Sequence, residues 1–279
     1  ARHHQDGDGT SLGSGHGDST GARGHRAGRW YRRHRIDTSR RGRQDPVRAG
    51  APGTVGKGAP CRCPGHLVRF RGPSDGVVLR VALVKPREVS DSIQPCLGLG
   101  FLAGVLSPGN DVLLVDCILE GLGPRALARR LADFRPDVAG FQVNTFTLDR
   151  TARYLQEVRR VLPGTVTIVG GPHPSVRPAG TLERCGDLVD AAFVGEAEPS
   201  LPGFVDACRD GRPDAAALAR LPGIAVRDKG TFACTPAAIP DLAALPLPRW
   251  DLMDPRRYPR APHSAFFRQW PVAPIIASR

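Results

Sequence analysis

Apolar positions begin to recur regularly at Val77. The run Val77-Val78-Leu79-Arg80-Val81-Ala82-Leu83-Val84, stopped by Pro86, has the length and continuity of a strand covered on both faces. Leu97 to Leu106 has helical composition and ends at the turn cluster Ser107-Pro108-Gly109-Asn110. Val112-Leu113-Leu114-Val115 predicts a second buried strand. Pro124 opens a helix through Phe134, because proline at the first helical position gives up an N–H that has no partner anyway. Arg135-Pro136 ends it. Val138-Ala139-Gly140-Phe141-Gln142-Val143 is a third strand. From Thr147 to Leu162, Ala152, Leu155, Val158 and Leu162 recur at three- and four-residue steps, the pattern of an amphipathic helix, which Pro163-Gly164 stops. Thr165-Val166-Thr167-Ile168-Val169 predicts a fourth strand running into Gly170-Gly171-Pro172. A short helix around Ser175 to Cys185, a fifth strand over Val189-Asp190-Ala191-Ala192-Phe193-Val194 and a helix over residues 197–209 complete the series.

Strands alternating with helices predict an α/β fold: a doubly wound, five-stranded parallel sheet of Rossmann-like type with right-handed crossovers. Such sheets bind ligands outside the carboxyl ends of their strands. A small hairpin follows within Gly223–Phe232, turning at Asp228-Lys229-Gly230. Residues 236–262 are Pro-rich but carry Trp250, Leu252 and Met253, which need cover, so they read as a linker packed on the domain. Val272 to Arg279 predicts the first strand of a further unit. The expected divisions are 1–76, 77–212, 213–270 and 271–279.

Composition changes the picture at the start of the chain. The whole chain has 279 residues and a net charge of +12. Residues 1–75 hold 15 Lys+Arg and 6 Asp+Glu, a net of +9, and residues 76–279 hold 24 and 21, a net of +3. The first quarter has 15 of the 33 Gly and almost no Ile, Leu or Phe, too little apolar surface to offset the entropy of ordering it. It is expected to be a disordered Arg/Gly-rich tail. A second reading makes it GC-rich upstream sequence translated in an arbitrary frame, with Val77 or Val78 as the start. Cys61-Arg62-Cys63 and His66 lack the spaced second pair of a zinc site. No 18-residue apolar run and no secretory pattern is present, and the seven Cys are irregularly spaced, so a cytoplasmic protein without membrane contact is expected.

The loops after the strands supply the candidate chemistry. Gly170-Gly171 would let a backbone approach a large ligand, and equally suits a tight turn. A side chain in Gly171→Val is expected to project into the ligand path while leaving the domain folded. Asp116 can accept a hydrogen bond from a ligand amide or cap its own turn. Asn144 and Thr145 can contact a ligand or cap the next helix. Glu196 and Glu198 sit near a helix start, where carboxylates are favoured. His173 reads as a solvent-facing loop histidine or as a ligand contact. There is no nucleophile elbow, no Walker loop and no Gly-x-Gly-x-x-Gly opening the first helix, so no catalytic residue and no metal ligand is assigned.

In order, the chain reads Val81-Ala82-Leu83-Val84-Lys85-Pro86, Leu97-Gly98-Leu99-Gly100-Phe101-Leu102-Ala103, Asp111-Val112-Leu113-Leu114-Val115-Asp116 and Pro136-Asp137-Val138-Ala139-Gly140. Gly170-Gly171-Pro172-His173-Pro174, Val194-Gly195-Glu196-Ala197-Glu198 and Leu245-Pro246-Leu247-Pro248-Arg249-Trp250-Asp251-Leu252 follow. This series resembles the N-terminal cobalamin-binding domain, with its linker, of cobalamin-dependent radical S-adenosylmethionine proteins. The family motif Asp-x-His-x-x-Gly aligns with Asp116-Cys117-Ile118-Leu119-Glu120-Gly121, so Ile118 stands where a cobalt-ligating His would be. The resemblance implies cobalamin held without that imidazole, its lower face met by hydrocarbon. It further implies a site of Leu97, Gly98, Asp116, Ile118, Gly121, Asn144, Thr145, Gly170, Gly171, Pro172, His173, Gly195 and Glu196.

The family's Cys-x-x-x-Cys-x-x-Cys motif, which holds a four-iron four-sulfur cluster that cleaves S-adenosylmethionine, has no match among the seven Cys. The resemblance therefore implies a fragment that ends before its catalytic barrel, with the cluster, S-adenosylmethionine and the small-molecule substrate belonging to the missing part. The parent would carry out methyl transfer, ring formation or related radical chemistry. Two other readings remain beside it. One is a stand-alone cobalamin-binding or sensor domain whose basic tail binds nucleic acid, although nucleic acid is not an expected partner. The other is a different doubly wound enzyme, such as a nucleotide-sugar transferase.

Overall fold

The computed structural model describes residues 77–88, 93–228, 230–260 and 268–276. The expectations for the tail and its Cys61, Cys63 and His66, for Lys229 in the hairpin turn, and for Ala277-Ser278-Arg279 lie outside them.

Four strands alternate with helices as the periodicity predicts: β1 (Leu79–Lys85), α1 (Leu97–Leu106), β2 (Asn110–Asp116), α2 (Pro124–Phe134), β3 (Val138–Gln142), α3 (Leu148–Val161) and β4 (Val166–Gly170). Then come α4 (Pro172–Val176), α5 (Pro178–Cys185), β5 (Ala191–Phe193), α6 (Leu201–Ala207), α7 (Ala215–Leu218), β6 (Ile224–Asp228) and β7 (Thr231–Cys234). The strand order is β2-β1-β3-β4-β5-β6-β7. β2, β1, β3, β4 and β5 are mutually parallel.

The expected five-stranded sheet is thus part of a seven-stranded mixed one. β6 pairs antiparallel with β5, Ala192 against Ala225 and Phe193 against Ile224, and β7 pairs with β6. The hairpin is not a separate appendage, because it covers an edge of β5 that would otherwise present unpaired backbone groups.

The helix boundaries also shift where proline dictates. The single helix expected around Ser175 to Cys185 is two, broken at Arg177 (φ −132°, ψ 59°), since Pro178 pushes its predecessor out of the helical region. Pro172 and His173 therefore lie in the first turn of α4 rather than in a loop. The helix expected over residues 197–209 starts later, at Leu201, after Pro199. Val77 and Val78 are exposed and lie outside the strand ladder, since β1 finds its first partner at Leu79 against Asn110. Residues 272–276 form no strand, and Pro274 within them has no N–H to give to a ladder.

Side chains alternate across the parallel sheet, so each strand feeds two cores. Val81, Leu83, Val138, Ile168 and Phe193 pack with Leu99, Ala103, Leu106, Leu201 and Phe204 on the α1/α6 face. Phe193 and Phe204 meet edge to face at 5.4 Å. Ala82, Val84, Ala139, Phe141 and Val169 pack with Leu127, Leu131, Tyr154, Leu155 and Leu182 on the α2/α3/α5 face. Burying each of the larger side chains contributes about 1.5–3 kcal/mol.

The linker is packed, as its apolar residues require. Met253 and Tyr258 are buried. Gly100 and Gly104, one turn apart on α1, leave the groove it occupies: a Cβ on Gly100 would lie 2.1 Å from Met253 Cε, and one on Gly104 would lie 2.9 Å from the Leu247 carbonyl oxygen. Arg249 N–H donates to the Gly100 carbonyl at 3.1 Å.

Candidate functional site

The chain leaves β1 for β2 on one side of the sheet and later resumes at β3 on the other, so the carboxyl ends of β1 and β3 flank the switch in strand order. A cavity of about 140 Å3 opens on the α1/α6 face beneath these ends. Leu83, Gly140, Ile168 and Phe193 form its floor, Gly98, Leu99 and Leu102 of α1 one wall, and the segment Gly195 to Glu198 with Leu201 another.

Gly140 explains the gap. It pairs with Leu83 on one side and Ile168 on the other, both facing this side, and a Cβ there would sit 3.3 Å from Ile168 and 3.4 Å from Leu83. Sequence reasoning passed over Gly140. Its signal was legible, since a glycine inside an otherwise apolar strand marks a place where something approaches closely. At the mouth, a Cβ on Gly98 would meet nothing within 4 Å, so that wall is open.

Gly98, Gly170, Gly171, Gly195 and Glu196 of the expected site line this cavity. Leu97 does not, and its side chain is buried. Gly171 has φ +103°, and a Cβ there would lie 3.2 Å from the Val143 carbonyl oxygen. The backbone conformation itself thus demands glycine, and Gly171→Val would strain the turn; the expected undisturbed fold of that variant does not follow. Gly195, at φ +76°, has its N–H held by Ser175 Oγ at 3.0 Å.

The rim is stitched by polar side chains. His173 Nδ1 lies 3.1 Å from Thr145 Oγ1, which ties the loop after β3 to α4. The Asn144 N–H donates to Thr147 Oγ1 at 2.9 Å, opening a short 3₁₀ turn (Thr145–Thr147) before α3. Its side-chain amide donates to Glu88 at 3.4 Å. Between these polar links two apolar side chains face solvent, Phe146 at 73% and Val176 at 77% exposure. Pro172 is exposed beside them.

The loop after β2 forms a second cluster at the same end of the sheet. Asp116 is buried, and its Oδ1 accepts the N–H groups of Ile118 at 3.0 Å and Leu119 at 3.2 Å. The turn-capping alternative is therefore realised. Its Oδ2 receives Lys85 Nζ and Tyr258 Oη, each at 3.3 Å. Lys85 also donates to the Gln94 carbonyl at 3.2 Å. Burial first, and the Asp116 carboxylate second, push the Tyr258 phenol well above its ordinary range, so the hydroxyl stays a donor. Ile118 is half-buried on this turn, and Gly121 closes it at φ +64°. Neither Lys85 nor Tyr258 was singled out by the sequence. Tyr258 lies 142 residues from Asp116, a separation that no local pattern reports.

Residues 87–205 match the family model described as B12 binding domain. Over these residues the chain is similar to B12-binding domains. This agrees with the parallel sheet, the glycine-lined cavity at its carboxyl ends and the Asp116–Gly121 turn, and it sets aside the nucleotide-sugar transferase reading.

Among curated relatives, the chain is 26% identical over 189 residues to an uncharacterized methyltransferase, PH0819, of Pyrococcus horikoshii, covering 65% of this chain and 40% of that protein. It is 28% identical over 190 residues to the anaerobic magnesium-protoporphyrin IX monomethyl ester cyclase of Rubrivivax gelatinosus, covering 64% and 34%. The chain therefore spans well under half the length of either. The cobalamin-dependent S-adenosylmethionine radical enzyme OxsB, solved with aqua-cobalamin bound, superposes with a TM-score of 0.54 at 20% identity, covering 63% of this chain and 25% of that one. The radical S-adenosylmethionine methyltransferase TsrM from Kitasatospora setae, solved with cobalamin and a 4Fe–4S cluster, gives 0.50 at 21% identity, covering 58% and 30%. These likenesses place this domain in the same fold.

The residues present suit the group. The cavity is predominantly apolar and its wall is open at Gly98. Among the described residues no cluster of three His, Cys, Asp or Glu could hold a metal ion, and no helix is long and apolar enough to cross a membrane.

Proposed function

We propose that this domain is the cobalamin-holding module of a radical S-adenosylmethionine enzyme, serving methyl transfer or related radical chemistry on a small molecule. The observation that carries the reading is the glycine-walled cavity beneath the carboxyl ends of β1, β3, β4 and β5, within the region that matches the B12-binding family. By their names the two curated relatives are a methyltransferase and a cyclase, and the match covers 40% and 34% of their lengths.

In this reading Gly98, Gly140, Gly170, Gly171 and Gly195 admit the nucleotide tail, with Glu196 at the cavity's edge. Thr145, Phe146, Pro172 and His173 support the ring margin, and Asn144 holds their loop. Asp116 and Gly121 fix the turn that carries Ile118, which would stand beside the bound group. Bound cobalamin supplies a metal that can accept and donate a methyl group. An isoleucine donates no lone pair, so the domain offers no imidazole ligand at that position. Residues 77–212 hold the cofactor, the β6–β7 hairpin closes the sheet, and Pro246 to Met253 run along α1 as linker. The 4Fe–4S cluster, S-adenosylmethionine and the substrate belong to a catalytic domain beyond this module. No nucleic-acid or membrane partner is assigned, and the proposed compartment is the cytoplasm.

The test is reconstitution of the full chain with hydroxocobalamin, followed by desalting. Corrinoid absorbance near one equivalent per chain supports the reading, and a colourless protein refutes it.

A further inference from the structure

The linker ends on the loop that carries Ile118. Residues 246–253 lie in the Gly100/Gly104 groove of α1, and five residues after Met253 the Tyr258 side chain enters the space between the carboxyl ends of β1 and β2. There Lys85 and Asp116 are register partners on adjacent strands. The carboxylate has four donors: two backbone N–H groups of its own turn, the Lys85 ammonium and the Tyr258 hydroxyl. An ionised carboxylate has about four acceptor positions, so Asp116 is saturated. Lys85 balances its charge, whereas the hydroxyl brings no charge and comes from outside the parallel sheet. Its contribution is directional: it fixes the carboxylate plane, and so the aim of Oδ1 at the Ile118 and Leu119 amides.

We propose that Tyr258 is a positioning residue for the corrinoid site, acting through Asp116 to hold the Cys117–Gly121 turn in the conformation that presents Ile118. The inference rests on the cobalamin reading above. It adds that the linker, not only the domain, sets the metal's lower surroundings.

The experiment uses the full chain with Tyr258→Phe, which removes only the oxygen, and Met253→Ala, which loosens the linker on α1 without touching Asp116. Amide exchange at Ile118 and Leu119 is measured without corrinoid. The visible spectrum and release rate are then measured with hydroxocobalamin. For Tyr258→Phe the expectation is exchange at both amides and corrinoid release each about 5-fold faster, the factor that one net hydrogen bond commands, with a shifted bound spectrum. Met253→Ala should lower thermal stability and leave the spectrum and both amides as in the parent. Parental exchange and spectrum in Tyr258→Phe would overturn the proposal. So would equal changes in Met253→Ala, which would reduce Tyr258 to general packing. If the parent chain fails to retain corrinoid, the cobalamin reading fails, and the exchange result still decides whether Tyr258 holds the turn.

Discussion

Lys85 and Asp116 end adjacent parallel strands in register, and Nζ lies 3.3 Å from Oδ2 with the two side chains 10% and 3% exposed. A pair so enclosed contributes little net stability as a pair, since desolvation offsets the attraction, but losing one member strands a charge. Lys85→Met is therefore expected to destabilise the domain by about 3–5 kcal/mol in urea unfolding. Adding Asp116→Asn removes the stranded charge, so the double variant should be more stable than Lys85→Met alone. A double variant no better than the single would show that the cost lies elsewhere.

Gly98 separates fold from ligand. Its Cβ direction is open, and it sits in α1, where glycine is the poorest ordinary helix former. Gly98→Leu should leave the melting temperature unchanged or raised while the side chain obstructs the cavity wall. The predicted outcome is a stable protein that retains at least tenfold less cobalamin. Gly171→Val should instead cost on the order of 1–3 kcal/mol, because a branched residue is forced to a positive φ. Calorimetry beside the absorbance of desalted protein distinguishes the two.

Buried thiols give the domain an alkaline weakness. Burial raises Cys185 to about 11 and Cys208 to about 12, from an ordinary value of 9.0. Below pH 9 both are neutral thiols in the folded and unfolded chain, and their contribution is fully present. Above it the unfolded chain releases protons that the folded one keeps, so stability falls with pH until the folded thiols ionise near pH 11–12. Urea midpoints measured from pH 7 to 11 should decline above 9. Cys185→Ala/Cys208→Ala should be less stable at pH 7 but show a shallower decline. At pH 8, thiol reagents should modify exposed Cys234 and spare Cys117, Cys185 and Cys208 until the protein unfolds.

What the sequence reveals follows the reach of each interaction. α1 and α2 end where expected, at Leu106 and Phe134, because turn residues and Pro136 act locally. The break at Arg177 was equally local, and the Pro178 rule contained it. Joining of β6 to β5 depends on which edge is free, a property of the assembled sheet. At the site, Gly170, Gly171 and Gly195 stand out as glycines after strands, and Gly140 was available by the same logic inside one. The Lys85–Asp116–Tyr258 cluster was hidden, because it joins three distant segments and each residue has a commonplace local role: strand end, turn cap and linker aromatic.

Ile118 makes a further distinction. All four acceptor positions of Asp116 are engaged, so an imidazole introduced by Ile118→His would find no carboxylate to hold its second nitrogen. A metal-binding His depends on such a partner for its orientation. Ile118→His alone should therefore give a bound spectrum close to the parent's. Ile118→His/Tyr258→Phe, which frees an acceptor position, should show the larger shift towards nitrogen coordination. A full shift in the single variant would contradict this account of the cluster.

The central claim is that residues 77–212 enclose a corrinoid, and the most direct measurement is stoichiometry. Purified full chain is incubated with excess hydroxocobalamin, desalted, and its corrinoid absorbance compared with protein concentration. The account predicts close to one corrinoid per chain, lost in Gly98→Leu. Protein that remains colourless, or equal retention by that variant, would contradict it.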